Sequence, residues 1–185
     1  TPAKMKMRSA EIKANTDKVY LRQISQAGLN SVRSVFLDKG DTTTFGDVAA
    51  RLTKAEVPTA FVIKPRVGAG SRDTIKVDNT DEGRAAGQAF LADVGAREAL
   101  MVQAFLPAVA QGEASLMFID GRYSHAVNKT PKEGDFRSQP EFGSTVATLK
   151  PDDEQFALAE RTVALLSTGL SEKLLYARID MVKDL

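Results

Sequence analysis

At 185 residues the chain is long enough for one domain or two small lobes sharing a cleft, and 43% hydrophobic with 26% charged residues is an ordinary globular balance. It has no cysteine, which excludes disulfides, thiolate zinc sites and a cysteine nucleophile. A formal net charge of +1 argues against a nucleic-acid partner, and no apolar run reaches bilayer length, so neither nucleic acid nor membrane is expected and the cytoplasm is the default location.

The first ten residues are basic, but no apolar stretch follows, so no secretory signal is readable. Asn15-Thr16-Asp17 offers an N-cap for a helix over 18–27, with Val19, Tyr20, Ile24 and Ala27 on one face and Gly28 as its stop. Residues 29–37 read as a strand. Thr44 caps a helix whose Phe45, Val48, Ala49 and Leu52 fall at i, i+3, i+4 and i+7. A strand over 60–64 breaks into Pro65-Arg66-Val67-Gly68-Ala69-Gly70-Ser71-Arg72-Asp73, followed by a short strand over 74–77. Asn79 or Thr80 caps a helix running towards Val94, and 99–105 is again a strand. Strands over 113–120 and 122–130 form a hairpin closed by Asp120-Gly121, a type I′ signal. A polar stretch over 131–143 interrupts the order. Pro151 opens a long helix bearing Phe156, Ala159, Val163 and Leu166, and 174–182 is the final strand. This pattern predicts an α+β (mixed α/β) fold with a seam near Phe105-Leu106-Pro107, dividing a lobe over 1–105 from one over 106–185.

A strand ending in Lys64, then Gly68-Ala69-Gly70-Ser71, then another strand suggests a backbone that folds over phosphates. A P-loop requires a Gly-Lys-Ser or Gly-Lys-Thr triplet, which this loop lacks. A dinucleotide fingerprint requires a third glycine where Asp73 stands and a helix where a strand follows. What remains is a glycine clamp between strands, or a purely structural hairpin loop. Lys64 is an expensive charge at the end of an apolar strand unless an anion meets it or it snorkels to solvent. In the final strand, alternation puts Leu175, Ala177, Ile179 and Met181 on one face and Tyr176, Arg178 and Asp180 on the other. An Arg/Asp pair suits phosphate plus a divalent cation, or is an ordinary ion pair across a sheet. Lys129, Lys132 and Arg137 make either a basic rim or a solvated loop. His125 reads as a hydrogen-bonded sheet residue, and no Ser/His/Asp triad or histidine metal spacing can be assembled.

Taken in order, these segments resemble the ATP-grasp superfamily, of the glutathione synthetase and ribosomal-protein glutamate ligase type. Tyr123-Ser124-His125-Ala126-Val127-Asn128-Lys129 with Gly134-Asp135-Phe136-Arg137 and Phe142-Gly143 is similar to the group that contains the D-cycloserine-forming ligase. The resemblance runs from about Asn15 to the last residue. It implies a nucleotide cleft between two lobes, with Mg²⁺ and ATP as cofactors. Lys18 and Lys64 then resemble the two phosphate-binding lysines, and Gly68, Ala69, Gly70 and Ser71 the loop over the β- and γ-phosphates. Gln103, Ala104, Phe105 and Leu106 resemble the adenine hinge, with backbone bonds from Ala104 and Leu106. Glu113 resembles the ribose-binding acid, Lys129 and Arg137 the cations on the γ-phosphate and acyl phosphate, and Asp180 the first magnesium ligand. Arg178 joins Lys129 and Arg137 as an expected catalytic cation.

The family supplies two further metal ligands on a strand soon after this point and a substrate lobe before it. The chain starts at Thr1 and stops at Leu185, so it is expected to be the core of a larger ligase, incomplete at both ends. The resemblance implies an ADP-forming carboxylate–amine ligase acting through an acyl phosphate, on a small-molecule carboxylate and a nitrogen nucleophile. A homo-oligomer would suit the family. The rival readings are a non-catalytic ATP-binding module, a small-molecule kinase and a structural domain.

Overall fold

The computed structural model describes residues 15–53, 57–168 and 173–183; the basic first ten residues lie outside them. The described residues form two units. One holds the residues up to Gln23 and Ser31–Phe105, and the other holds Ile24–Asn30 and the chain from Leu106 onward.

Helix α1 (Tyr20–Gln26) passes from one unit to the other and starts two residues later than the sequence suggests. Asp17 accepts the Val19 amide (3.0 Å), as a cap would, but its backbone forms an isolated bridge with Val67, which holds it out of the helix. Gly28, at φ +72, turns the chain away. The expected strand over 29–37 contracts to β1 (Ser34–Leu37), because its partner β4 (Leu100–Ala104) offers register only from Gln103 to Leu100.

The unit containing β1 and β4 is completed by α2 (Phe45–Leu52), β2 (Ala60–Pro65), β3 (Ile75–Asp78) and α3 (Asp81–Asp93). Thr44 and Thr80 cap the two helices by accepting the amides of Asp47 and Gly83. Its sheet is antiparallel throughout, in the order β1-β4-β2-β3. One face packs Leu37, Phe61, Ile63, Val77, Leu100 and Val102 against the helices, where Phe45 meets Phe61 edge-on at 5.5 Å. Gly87 on α3 makes room for the Phe45 ring: a Cβ there would lie 2.8 Å from it. The alternation that sends these side chains inward sends Ser34, Val62, Lys64, Lys76 and Gln103 to the opposite face.

The second sheet is also antiparallel, in the order β7-β6-β5-β8: β5 (Glu113–Ile119), β6 (Arg122–Thr130), β7 (Thr145–Leu149) and β8 (Tyr176–Met181). The β5–β6 hairpin closes through Asp120 and Gly121, both at positive φ as a type I′ turn requires. α4 (Asp153–Leu166) is opened by a capping box between Asp152 and Gln155 rather than by Pro151. Ala114, Leu116, Phe118 and Ala126 pack with Ala159 and Val163 of α4, and Ala177, Ile179 and Met181 join them as the alternation in the final strand requires. β7 follows a polar loop, is exposed at four of its five positions, and was not read from the sequence. An edge strand with neither face buried carries no period-2 signal. Two antiparallel sheets, the first packed against two helices and the second against α4, make the predicted α+β architecture.

Candidate functional site

In the first unit the residues singled out gather around the β2–β3 connection. The Lys18 ammonium donates to the carbonyls of Pro65 (3.3 Å), Arg66 (3.2 Å) and Gly68 (2.9 Å), which uses all three of its donors. Burial lowers the Lys18 pKa, and the nearby Asp17 opposes that shift. Gly68, Ala69 and Gly70 are exposed, and Gly70, Ser71 and Asp73 all adopt positive φ, so the loop is sharply folded between its strands. Its far side is braced by Arg72, whose guanidinium donates to both Glu98 oxygens (2.9 Å each) and also pairs with Asp73. Lys64 is half-buried on the outer sheet face, opposite Met101 and two positions along from the Val62–Gln103 pair; the Gln103 amide donates to Ser34 Oγ (2.8 Å). At the expected hinge, the Ala104 amide donates to the Arg33 carbonyl (3.4 Å) and the Phe105 amide to the Ala60 carbonyl (2.9 Å). The Lys76 ammonium lies 4.6 Å from the Phe105 ring centre. The Ala104 amide is therefore already engaged within the unit.

In the second unit, the outer face of the β6-β5-β8 ribbon carries a continuous charged cluster. Glu113 stands opposite Lys129, and Ser115 opposite Asp180. The Lys129 ammonium pairs with Glu113 and lies 3.5 Å from Asp180. Arg178 donates in a bidentate fashion to Asp180, Nε to Oδ1 and Nη2 to Oδ2, both at 2.8 Å. The fully buried Ser115 donates to Asp180 Oδ1 at 2.6 Å. Burial alone would raise the Asp180 pKa, but the Arg178 and Ser115 bonds and the Lys129 charge outweigh it and hold the carboxyl below its ordinary range.

Arg137 takes a different partner. Its guanidinium binds Asp135 through Nε (3.0 Å) and Nη2 (2.7 Å) and stacks 3.7 Å from the Phe142 ring centre. Arg137 and the two Asp135-bonded amides hold that carboxyl far below its ordinary range. Lys129 and Arg137, expected as a pair, thus share no partner. The link between their segments is Ser138, which donates to Glu113 Oε2 (3.2 Å). Ser115 and Ser138 were missed in the sequence. Ser115 was findable, because it lies two residues after Glu113 and so shares its face. His125 Nδ1 lies 3.0 Å from Ser124 Oγ on β6, beside the bulge between Met117 and Phe118.

The donor set on this face consists of carboxylate and hydroxyl oxygens. It fits Mg²⁺, which commonly takes one or two protein carboxylates and completes its shell with water and phosphate oxygens. Among the described residues no three His, Asp or Glu side chains converge.

A glycine loop between antiparallel strands, set in one sheet, and a Lys/Arg/Asp cluster on a second are the arrangement of the ATP-grasp fold. The chain belongs to the family described as prokaryotic glutathione synthetase, ATP-grasp domain, whose family model matches residues 42–185. Glutathione synthetase of Prochlorococcus marinus (strain MIT 9313) is 33% identical over 127 residues, covering 67% of this chain and 39% of that protein. That of Rhodopseudomonas palustris (strain ATCC BAA-98 / CGA009) is 32% identical over 126 residues, covering 66% and 38%. The chain therefore spans about two fifths of the length of these curated relatives. Among solved structures, D-cycloserine synthetase DcsG superposes with a TM-score of 0.79 at 22% identity, over 94% of this chain and 59% of that one. D-alanine–D-alanine ligase from Bacillus anthracis, complexed with ATP, superposes with a TM-score of 0.67 at 16% identity, over 94% and 52%. These two likenesses show the fold alone, and they meet the ATP-grasp expectation. No helix among the described residues is long and apolar enough to cross a membrane.

Proposed function

We propose that this chain is the nucleotide-binding core of an ATP-dependent ligase that joins a carboxylate to a nitrogen nucleophile through an acyl phosphate, forming ADP. The observation that carries the reading is the Glu113–Lys129–Asp180–Arg178 cluster, built on adjacent strands of a chain in this family. Its formal charges cancel, so it can trade internal partners for a phosphate and a cation without leaving a bare buried charge.

In this reading Gln103, Ala104, Phe105 and Leu106 seat the adenine, and Glu113 bonds the ribose hydroxyls. Gly68, Ala69, Gly70 and Ser71 close over the phosphates. Lys64 contacts the α-phosphate, and Lys18 adds positive charge at the base of the loop. Asp180 would hold Mg²⁺, whose chemistry would be to neutralise phosphate charge. Lys129 and Arg137 stabilise the charge that develops as the γ-phosphoryl passes to the carboxylate oxygen, and Arg178 keeps Asp180 oriented beside them. The nitrogen nucleophile then attacks the acyl carbon through a tetrahedral intermediate, phosphate leaves, and the closed loop keeps water from the acyl phosphate. No covalent enzyme intermediate is needed, and no assigned residue takes the role of a nucleophile. Amino-acid-like molecules or peptides are the substrates this chemistry suits, in the cytoplasm.

The test is calorimetric titration with a Mg·ATP analogue, followed by ADP release and hydroxylamine trapping across a panel of carboxylates and amines. Analogue binding, and ADP release that requires a carboxylate and yields a hydroxamate, would support the ligase. Failure of the folded protein to bind the analogue would end the reading. A phosphorylated product that persists with amine present would turn it into a kinase.

A further inference from the structure

The best-connected side chain of the phosphate-loop region is Arg66, to which neither the family resemblance nor the proposed mechanism gives a role. It lies two residues after Lys64 and two before Gly68. Its guanidinium grips Asp17 in a bidentate pair, Nε to Oδ1 at 3.1 Å and Nη2 to Oδ2 at 2.6 Å, while Nη1 donates to Asp38 at 2.6 Å. The side chain is only 14% exposed. Its backbone is held as firmly. The Arg66 amide donates to the Ala99 carbonyl (2.9 Å), and its carbonyl accepts from both the Lys18 amide (3.1 Å) and the Lys18 ammonium. Asp17 and Val67 form a bridge, and Lys18 reaches on to the Gly68 carbonyl.

Residues 17–18 are therefore laced to residues 65–68, about fifty positions away in sequence, with the Arg66–Asp17 pair as the charged centre of the lacing. Its effect falls on the start of the glycine loop, where Gly68 to Gly70 are exposed and have little packing of their own. We infer that Arg66 is a positioning residue for phosphate binding. Through Asp17 it fixes Lys18 and the entry of the glycine loop in the geometry that meets a nucleotide's phosphates, without itself touching the nucleotide. A lysine cannot replace it, because a point charge cannot form the two parallel bonds that orient Asp17. This inference rests on the nucleotide reading above.

The experiment compares wild type with Arg66→Ala, Arg66→Lys, Asp17→Asn and the Arg66→Ala/Asp17→Asn double variant. Each is titrated with a Mg·ATP analogue and, separately, with adenosine, which has no phosphates. Arg66→Lys and Asp17→Asn are the milder changes and serve if Arg66→Ala does not fold. The expected result is a roughly tenfold weaker Kd for the analogue in every single variant. Adenosine affinity should stay within about twofold of wild type, and the double variant should be no worse than Arg66→Ala, as coupled partners require. Equal losses for analogue and adenosine would mean a general structural role and overturn the inference, as would wild-type analogue affinity in Arg66→Lys. If wild type binds no analogue, the nucleotide reading itself fails and takes this one with it. Tight wild-type binding with unaffected variants would overturn this inference alone.

Discussion

Replacing Lys129 with methionine keeps the length of the side chain and removes its charge. In wild type the ammonium contacts two carboxylates, with side-chain exposures of 15% for Lys129, 21% for Glu113 and 32% for Asp180. That is too buried for the 0–1 kcal/mol of a surface pair and too wet for the 3–5 kcal/mol of breaking a fully buried one, so the expected loss is about 1–3 kcal/mol. For a chain of this length that lowers Tm by roughly 3–10 °C. Much of the loss comes from the two carboxylates left facing each other, so adding Glu113→Gln should recover part of it. The catalytic effect is separate. Losing one preorganised cation from the phosphoryl-transfer site should lower kcat about a hundredfold, or about 3 kcal/mol. Glu113→Gln should leave that deficit in place, because it restores charge balance and not the cation. The assay is paired: thermal unfolding for stability, and steady-state ADP release at saturating Mg·ATP for rate. A Lys129→Met variant that loses stability but keeps kcat, or a double variant that regains both together, would refute the reasoning and leave Lys129 a structural cation.

Gly87→Ala should destabilise the first unit by about 1 kcal/mol: the added Cβ would lie 2.8 Å from the Phe45 ring, and the overpacking outweighs the gain in helix propensity. Gly83→Ala should cost more, since its Cβ would fall 2.0 Å from the Asp78 backbone oxygen, which cannot rotate aside; urea unfolding ranks the pair. Ser115→Ala removes a buried donor to a carboxylate and should cost about 1.5 kcal/mol, with Ser115→Thr recovering part if the methyl fits. The Arg66 bond holds the Asp17 carboxyl below its ordinary value of 3.8, against the opposing effect of burial. Its stabilisation is then fully present above that value and lost as pH falls through the lower folded-state value. Asp17→Asn should accordingly be less stable than wild type at pH 7, and the gap should begin to narrow as pH falls below 3.8 and close only below the folded-state value. A gap that persists at low pH would contradict the assignment.

Much of the architecture was legible in the chain because it follows from local chemistry. Thr44 and Thr80 cap the helices they precede, Asp120-Gly121 makes the hairpin turn, and Tyr176, Arg178 and Asp180 share a face because side chains alternate along any strand. The glycine loop and Lys64 stood out because their residue types are costly without a purpose. The extent of β1 was not legible, since a strand ends where its partner does, and β7 was invisible because neither of its faces is buried.

Only tertiary structure could decide which charges meet. Glu113, Lys129 and Asp180 are separated by long stretches of chain and come together through strand register, which one residue's slip would undo. Register likewise brought the unnoticed Ser115 onto Asp180, while the local Asp135 and Phe142 took Arg137, which the sequence had paired with Lys129. The same holds for Arg66 and Asp17. In the sequence Asp17 reads as part of a helix cap and Arg66 as part of the loop segment, and their pairing exists because the fold returns the start of the glycine loop to the segment that precedes α1. The chain by itself determined most of the elements, β7 excepted, and which residues share a face within them, because those depend on neighbours within a few positions. The partner of each charge was settled by the three-dimensional closure of the sheets, because Coulomb and hydrogen-bond energies depend on distances in space that sequence separation does not encode.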